Sequence, residues 1–403
     1  MTPDAPGILT TRALTFPTLT ERTHGPAPVL EGEMTHTIER SYDSFRGTRR
    51  LLPLDGLRAI AILLVFTGHV KAPGPWNAIQ GGVGVTLFFV ISGFIITTLL
   101  LRESDTRPVD FGAFYIRRAF RILPVYLTVL AVYCVLIFVV GAQADRRGEF
   151  VHALPGYLLG FPEIVQLTNT VDNSAPFSGA WSIGIEDKFY LVWPVVGFLL
   201  LRRRWAALVP LLLVAGGVLT VVGFGTPLAR VTQPYVHIIL GVLVAAGLHY
   251  RPSFTVLARL LGRRWTTWTL LAASLAMVVS PDIPLGTAWY VPYGLLWALT
   301  IISLFTAPAG AAASLLSLRP LLFIGMVSYS FYLTHAFVLN ALEKLPAAVP
   351  SWVQYPLGLA GSLVLAWISY RLIEAPLNRW GHRIARQRAE RSGRAGAASP
   401  SRG

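Results

Sequence analysis

Ten runs of about 16–20 mainly apolar residues restrict this chain more than any other feature. They lie at 54–70, 82–101, 123–141, 183–201, 206–225, 232–250, 266–281, 289–308, 321–340 and 354–373. Each approaches the length of a helix that crosses the hydrocarbon core of a bilayer. In lipid every backbone N–H and C=O must be satisfied internally, so a spanning run of this kind is helical. Only 13% of the 403 residues are charged, about half the share usual in soluble domains, and the mean hydropathy is +0.57. The expected fold class is an all-α integral membrane protein with about ten transmembrane helices. The stretch 152–166 carries Pro155 and Pro162 and is too short to cross, so it reads as interfacial or re-entrant.

Charge sets the orientation. Arg46, Arg49 and Arg50 precede the first run, and Arg102, Arg107, Arg117, Arg118 and Arg121 separate the second from the third. Arg202, Arg203 and Arg204 follow the fourth, Arg251, Arg259, Arg263 and Arg264 the sixth, and Arg319 the eighth. With ten spans all of these fall on one face, which the positive-inside rule assigns to the cytoplasm. Both termini are then cytoplasmic. An eleventh span at 152–166 would place the later basic loops outside. The net charge of +14 therefore belongs to loop arginines, and no nucleic-acid partner is expected. Arginine outnumbers lysine 31 to 3, the mark of a GC-rich bacterial genome, which places the chain in a bacterial inner (cell) membrane.

Cys134 is the only cysteine and sits inside an apolar run, so neither a disulfide framework nor a thiolate zinc site is expected. His24, His36, His152, His237, His249 and His382 form no pair at metal-ligand spacing, and no metal is expected. Residues 1–50, rich in Pro, Thr, Gly and charge, lack the apolar core of a signal peptide and read as a disordered cytoplasmic extension. Residues 379–403 read as a basic, disordered cytoplasmic tail, which leaves 51–378 as the membrane domain. No internal repeat with matched broken helices is visible, which weakens a secondary-transporter reading.

Polar residues inside the apolar runs carry the functional argument. Arg58 and His69 are eleven residues apart, three helical turns plus about 20°, so they share one face about 16 Å apart along the axis. Two readings fit: a snorkelling arginine with a structural histidine, or a polar path from the cytoplasm to an imidazole. An unperturbed imidazole titrates near about 6.5 and can take and return a proton. Gly81, Gly82 and Gly84 fit no phosphate-loop pattern and read as sites of close helix packing, with Ser92 polar midway along the same run. Arg118 and Arg121, three apart before Pro124, share a helical face. They read as positive-inside charge or as guanidinium forks suited to phosphate oxygens. Glu186, four residues past Ser182 and five past Trp181, is a candidate to orient or charge-stabilise a histidine. His335, in the ninth run, is as suited to a structural role as to a catalytic one.

In order, Arg58…His69 (Arg-x10-His), "GGVGVTLFFVISGFIIT", "RRAFRILPVY", "WSIGIEDKFY" and "SYSFYLTHAFV", closed by "YRLIEAP", resemble the membrane-bound acyltransferase 3 family over about residues 50–380. Members of that family O-acylate sugars, cell-wall glycans, lipopolysaccharide and antibiotics. The resemblance implies a ten-helix core that takes an acyl group from cytoplasmic acyl-CoA, acetyl-CoA or another short-chain donor. It makes His69 catalytic with Arg58 as its basic partner, ties Arg118 and Arg121 to cofactor binding or active-site structure, and aligns Trp181, Ser182 and Glu186 with the family's WS…E motif. The candidate catalytic pair is therefore His69 and Glu186. The candidate acyl-CoA and substrate-binding set is Arg58, Ser92, Arg118, Arg121, Trp181, Ser182 and His335. The family commonly has two carboxylates and a glutamine before Phe-Tyr, whereas this chain has Glu186, Asp187 and Lys188, so Asp187 and Lys188 receive no role.

Many relatives carry a soluble hydrolase-like domain after the membrane core. The residues beyond the tenth run are too few to hold one, which resembles the branch acting on macrolides and simple polysaccharides. The expected function is transfer of a short acyl group to a hydroxyl of a carbohydrate or macrolide-like antibiotic, with His69 as general base. The expected partners are that small-molecule or glycan acceptor and the lipid bilayer. Direct transfer and an acyl-histidine relay remain open, and the rival class is a transporter or flippase that uses the buried Arg and His as a proton or substrate path.

Overall fold

The structure, a computed structural model, describes residues 28–48, 50–168, 176–200, 205–226, 228–279, 290–307, 310–344 and 349–397. Residues 1–27 of the expected extension, residues 398–403 of the expected tail, His24, Arg49, Arg202, Arg203 and Arg204 lie outside them. The described residues are mostly helical, with no strand among them. In chain order the helices are α1 Pro28–Gly47, α2 Leu52–His69, α3 Gly82–Thr106, α4 Phe111–Phe138, α5 Arg147–Leu158, α6 Pro162–Thr168, α7 Trp181–Pro194 and α8 Trp205–Gly223. There follow α9 Ala229–His249, α10 Arg251–Leu261, α11 Arg264–Val279, α12 Tyr290–Thr306, α13 Ala311–Leu316, α14 Arg319–Leu342, α15 Ser351–Ser369 and α16 Ala375–Ala397.

Every apolar run falls in a helix, but not every such helix has the length of a span. Among the described residues six are long and apolar enough to cross a membrane: α2, α3, α4, α9, α14 and the continuous helix Ser351–Arg391 that joins α15 to α16. The other four runs lie in α7, α8, α11 and α12. α7 passes after Pro194 into a π-helical stretch, Val195–Leu200, so its helix is not regular over a full span. The stretch 152–166 folds as α5 and α6, broken at Gly160, whose φ of +77° places it in the left-handed region that favours glycine. Neither is long enough to cross.

Close backbone approach organises the interior. α3 and α9 pack most extensively, and a pair of glycines faces across their crossing. Gly93 abuts the backbone carbonyl of Ile238, and Gly241 abuts that of Val90, so a Cβ at either would overlap a main-chain oxygen. At the start of α3, Gly81 lies on the backbone of Gly68 and Gly84 on the carbonyl of Ala61, as close packing predicts. Gly82 is the exception, with only the Tyr290 hydroxyl near its open side. Small residues of this kind let helices associate in lipid, where no hydrophobic force draws them together. Gly93→Ala and Gly241→Ala are each expected to lower unfolding free energy by about 1–3 kcal/mol through overpacking. An unchanged melting temperature in detergent for both variants would show that α3 and α9 do not touch in this way.

Both flanks differ from the irregular chain expected of them. α1 is helical because Ile38, Tyr42 and Phe45, spaced four and three apart, form an apolar edge that docks on the membrane domain. Phe45 is buried among Phe94, Phe254 and Phe305, with ring centroids 6.4, 6.3 and 5.5 Å away. Arg46 closes the contact: it pairs with Asp105 at 2.5 Å and lies 2.5 Å from His249 Nδ1. Arg102 donates to the carbonyls of Phe45 and Thr48, and Arg251 pairs with Glu39 at 2.6 Å. At the other flank, α16 continues from the last apolar helix and lies along α4. There Trp380 meets Phe120 edge-to-face at 5.2 Å and Arg388 approaches Asp110 at 3.9 Å. Composition alone reported two charged tails; the apolar edges among the charges make them helices.

Candidate active site

Two cavities meet inside the helices. The first, about 260 Å³, is lined by Arg58 of α2, Ser92 of α3, Arg118 and Arg121 of α4, Ser182, Glu186 and Tyr190 of α7, and Ser328 and Tyr332 of α14. Three guanidinium groups therefore face one space. Arg58 Nη2 donates to Ser328 Oγ at 2.9 Å. The Arg118 guanidinium lies over the rings of Phe114 and Tyr190, 5.7 and 5.4 Å from their centroids. Stacking of this kind fixes a guanidinium plane without consuming its donors, which stay available to an anion. α4 is helical from Phe111 and runs through Pro124, so Arg118 and Arg121 stand on a formed helix rather than in a loop before it.

The Tyr190 hydroxyl donates to Glu186 Oε2 at 2.7 Å and lies 3.1 Å from Ser92 Oγ. Behind the arginines, Glu374 is 2% exposed and accepts from Ser330 Oγ at 2.7 Å, with Arg121 and Arg58 supplying opposite charge. It ends a π-helical turn, Tyr370–Glu374, of the kind often found at functional sites.

The second cavity, about 340 Å³, is lined by His69, Lys71, Tyr133, Gln143, Phe177, Trp181, Tyr332, His335 and Asn340, among others. His69 Nδ1 lies 2.7 Å from the Val65 carbonyl, which can only accept, so this nitrogen carries a proton and, in the neutral ring, Nε2 holds the lone pair. His335 is arranged alike: its Nδ1 donates to the Tyr332 carbonyl at 2.8 Å, and its buried Nε2 has no hydrogen-bond partner among the described residues. The two imidazoles meet edge-to-face with centroids 5.1 Å apart. Gln143 at φ 54° and Phe177 at φ 70° are the two non-glycine residues with left-handed backbone among those described, and both line this cavity. Such conformations are costly and concentrate at functional sites.

Every residue expected from the sequence thus lines one of the two cavities, but they are not brought together. Arg58 and His69 share a face of α2 yet open into different spaces. Glu186 accepts a hydrogen bond from Tyr190 and stands among the arginines, in the cavity that His69 and His335 do not line. Trp181 lines the histidine cavity and Ser182 the arginine cavity. Lys188, where the chain departs from the family pattern, is structural. It pairs with buried Glu163 at 2.6 Å, donates to the Gly160 carbonyl at 2.5 Å and lies over the Phe161 ring, tying α7 to α6. Sequence reasoning missed Tyr190, Ser328, Tyr332 and Glu374. All four lie inside quoted motifs, but neutral hydroxyls and a lone carboxylate at helical spacing carry no chemical signature of their own.

The helices and their polar interior define an all-helical, multi-pass integral membrane protein. It belongs to the acyltransferase 3 family, whose acyltransferase domain model matches residues 52–371. The chain is 28% identical to the peptidoglycan O-acetyltransferase OatA of Listeria monocytogenes over 83% of its own length and 57% of that protein. It is 30% identical to the O-acetyltransferase OatA of Staphylococcus aureus (strain NCTC 8325), covering 82% of this chain and 58% of that one. It is also 30% identical to the putative peptidoglycan O-acetyltransferase YrhL of Bacillus subtilis, covering 83% and 56%. The chain therefore spans little more than half the length of these relatives. No solved structure matches it.

Proposed function

We propose that this chain is a membrane O-acyltransferase of a bacterial cell membrane that moves a short acyl group from acyl-CoA to a hydroxyl of a carbohydrate acceptor. A macrolide-like antibiotic is the second acceptor class. The observation that carries this reading is the cavity ringed by Arg58, Arg118 and Arg121, three guanidinium groups on one space, with Tyr332 shared between its lining and that of the cavity of His69. The donor set fits a nucleotide-bearing thioester: guanidinium forks for its phosphates, and Ile91, Ile95 and Leu99 for its aliphatic arm. The positive-inside rule puts Arg58, Arg118 and Arg121 toward the cytoplasm, where acyl-CoA is made. His69, at the other end of α2, is then reached from the opposite side, and the acceptor enters there.

In the reaction, His69 Nε2 takes the proton of the acceptor hydroxyl as its oxygen bonds to the thioester carbonyl carbon. The carbon–sulfur bond breaks, and the thiolate leaves and recovers the proton from the imidazolium. Thiolate is a weak base, so no strong acid is needed opposite His69. An acyl-histidine relay has the same balance, with the acyl group held briefly on Nε2. Purified protein is expected to release free thiol from acetyl-CoA in an acceptor-dependent way, and extracts of producing cells to contain a glycan or antibiotic heavier by one acyl group. A transporter or flippase releases no thiol, and that result would overturn the proposal.

A further inference from the structure

Tyr332 is the one residue, among those described, that lines both cavities. Its ring is held at both sides of the boundary. The Ser182 hydroxyl donates to the Tyr332 oxygen at 2.7 Å, and the Tyr332 hydroxyl donates to the Gly179 carbonyl at 2.8 Å. Both partners belong to the chain that enters α7, where Ser182 faces the arginine cavity and Trp181 the histidine cavity. Trp181 is backed in turn by Phe89, ring to ring at 6.0 Å. A phenol on both linings, tied to Ser182 of the arginine cavity and to Gly179 of the histidine cavity, is placed as a septum.

A thioester in the arginine cavity needs such a wall. His69 Nε2 faces a cavity that exposed Lys71 also lines, and a water held there can take the place of the acceptor hydroxyl. In the wasteful reaction the water oxygen bonds to the thioester carbonyl carbon and the carbon–sulfur bond breaks. The thiolate takes one proton of the water, and the carboxylic acid that forms keeps the other. Enzymes suppress such side reactions by excluding water until the site is complete. Resting on the donor reading above, we infer that Tyr332 decides between acceptor and water. Its ring closes the passage until an acceptor in the histidine cavity displaces it from Ser182 and Gly179. His335, one turn further along α14, is bonded to the Tyr332 carbonyl and so couples the septum to the histidine cavity.

The test uses purified Tyr332→Phe and Tyr332→Ala proteins with acetyl-CoA in ¹⁸O-labelled water and no acceptor. Tyr332→Ala is expected to raise formation of ¹⁸O-acetate and free thiol by about tenfold or more, and Tyr332→Phe, which keeps the ring and loses its tether, by less. Tyr332→Ala protein that binds acetyl-CoA like the parent and hydrolyses it no faster would overturn the proposal. A second measurement does not depend on the donor. Ser92→Cys in a Cys134→Ala background is exposed to a membrane-impermeant maleimide added to the face that carries Lys71. Labelling is expected to be slow with Tyr332 present and about tenfold faster with Tyr332→Ala, and equal rates would again overturn the septum. Faster labelling with no binding of acetyl-CoA to the parent would sink the donor assignment and leave the septum standing.

Discussion

Replacing His69 with alanine is expected to lower acyl transfer by about 10²–10⁴-fold, the usual contribution of a positioned general base. The fold should survive, because the ring is exposed to a cavity rather than packed in a core, and its one hydrogen bond is to the carbonyl one turn earlier in the same helix. Binding of acetyl-CoA should also survive, since the arginines that would hold it line the other cavity. The comparison with His335 sharpens the test. That ring is 5% exposed and stacks beside Phe331, so its removal leaves a void and should lower thermal stability as well as rate. Normal turnover by correctly folded His69→Ala protein would remove His69 from the chemistry and leave the second cavity without a base of the required exposure.

Arg118→Ala is expected to raise KM for acyl-CoA by about ten- to a hundredfold, the equivalent of one hydrogen bond to a charged group, while KM for the acceptor stays within about twofold. The asymmetry follows from the separation of the cavities, because Arg118 touches the space assigned to the donor and not that assigned to the acceptor. Arg118→Lys should recover only part of the loss. Lysine keeps the charge but has neither the planar fork nor the stacking surface that now lies over Phe114 and Tyr190. Steady-state kinetics with each substrate varied in turn decides the matter. Equal increases in both KM values would make Arg118 a packing residue and leave the anion site unsupported.

Much of this was legible in the sequence, and the physics explains which parts. Apolar runs of bilayer length have one backbone solution, so the described residues of all ten lie mainly in helices. Their crossing lengths depend on breaks such as the one after Pro194, which composition does not show. Arg58 and His69 share a helix, so their common face follows from the periodicity alone. The partner of Glu186 lies four residues along its own helix, yet the sequence offered a histidine with equal plausibility, because the choice is made by how α7 meets α3, α4 and α14. Tyr332 was invisible for the same reason: its function comes from bridging two spaces, and a single helix encodes no such bridge. The flanks misled through average composition, when three well-spaced apolar residues in α1 were enough to dock it.

That docking has a practical consequence for anyone drawing the edges of this protein. A fragment cut to the stretch that the family's domain matches, residues 52–371, would strip Phe45 from its nest of rings and take Arg46 away from Asp105 and His249. At its far end the same cut passes through the π turn and discards both Glu374 and the helix that braces the arginine-bearing face. The matched stretch is here smaller than the unit that holds itself together, and expression trials should begin ahead of Pro28 and run past Arg388.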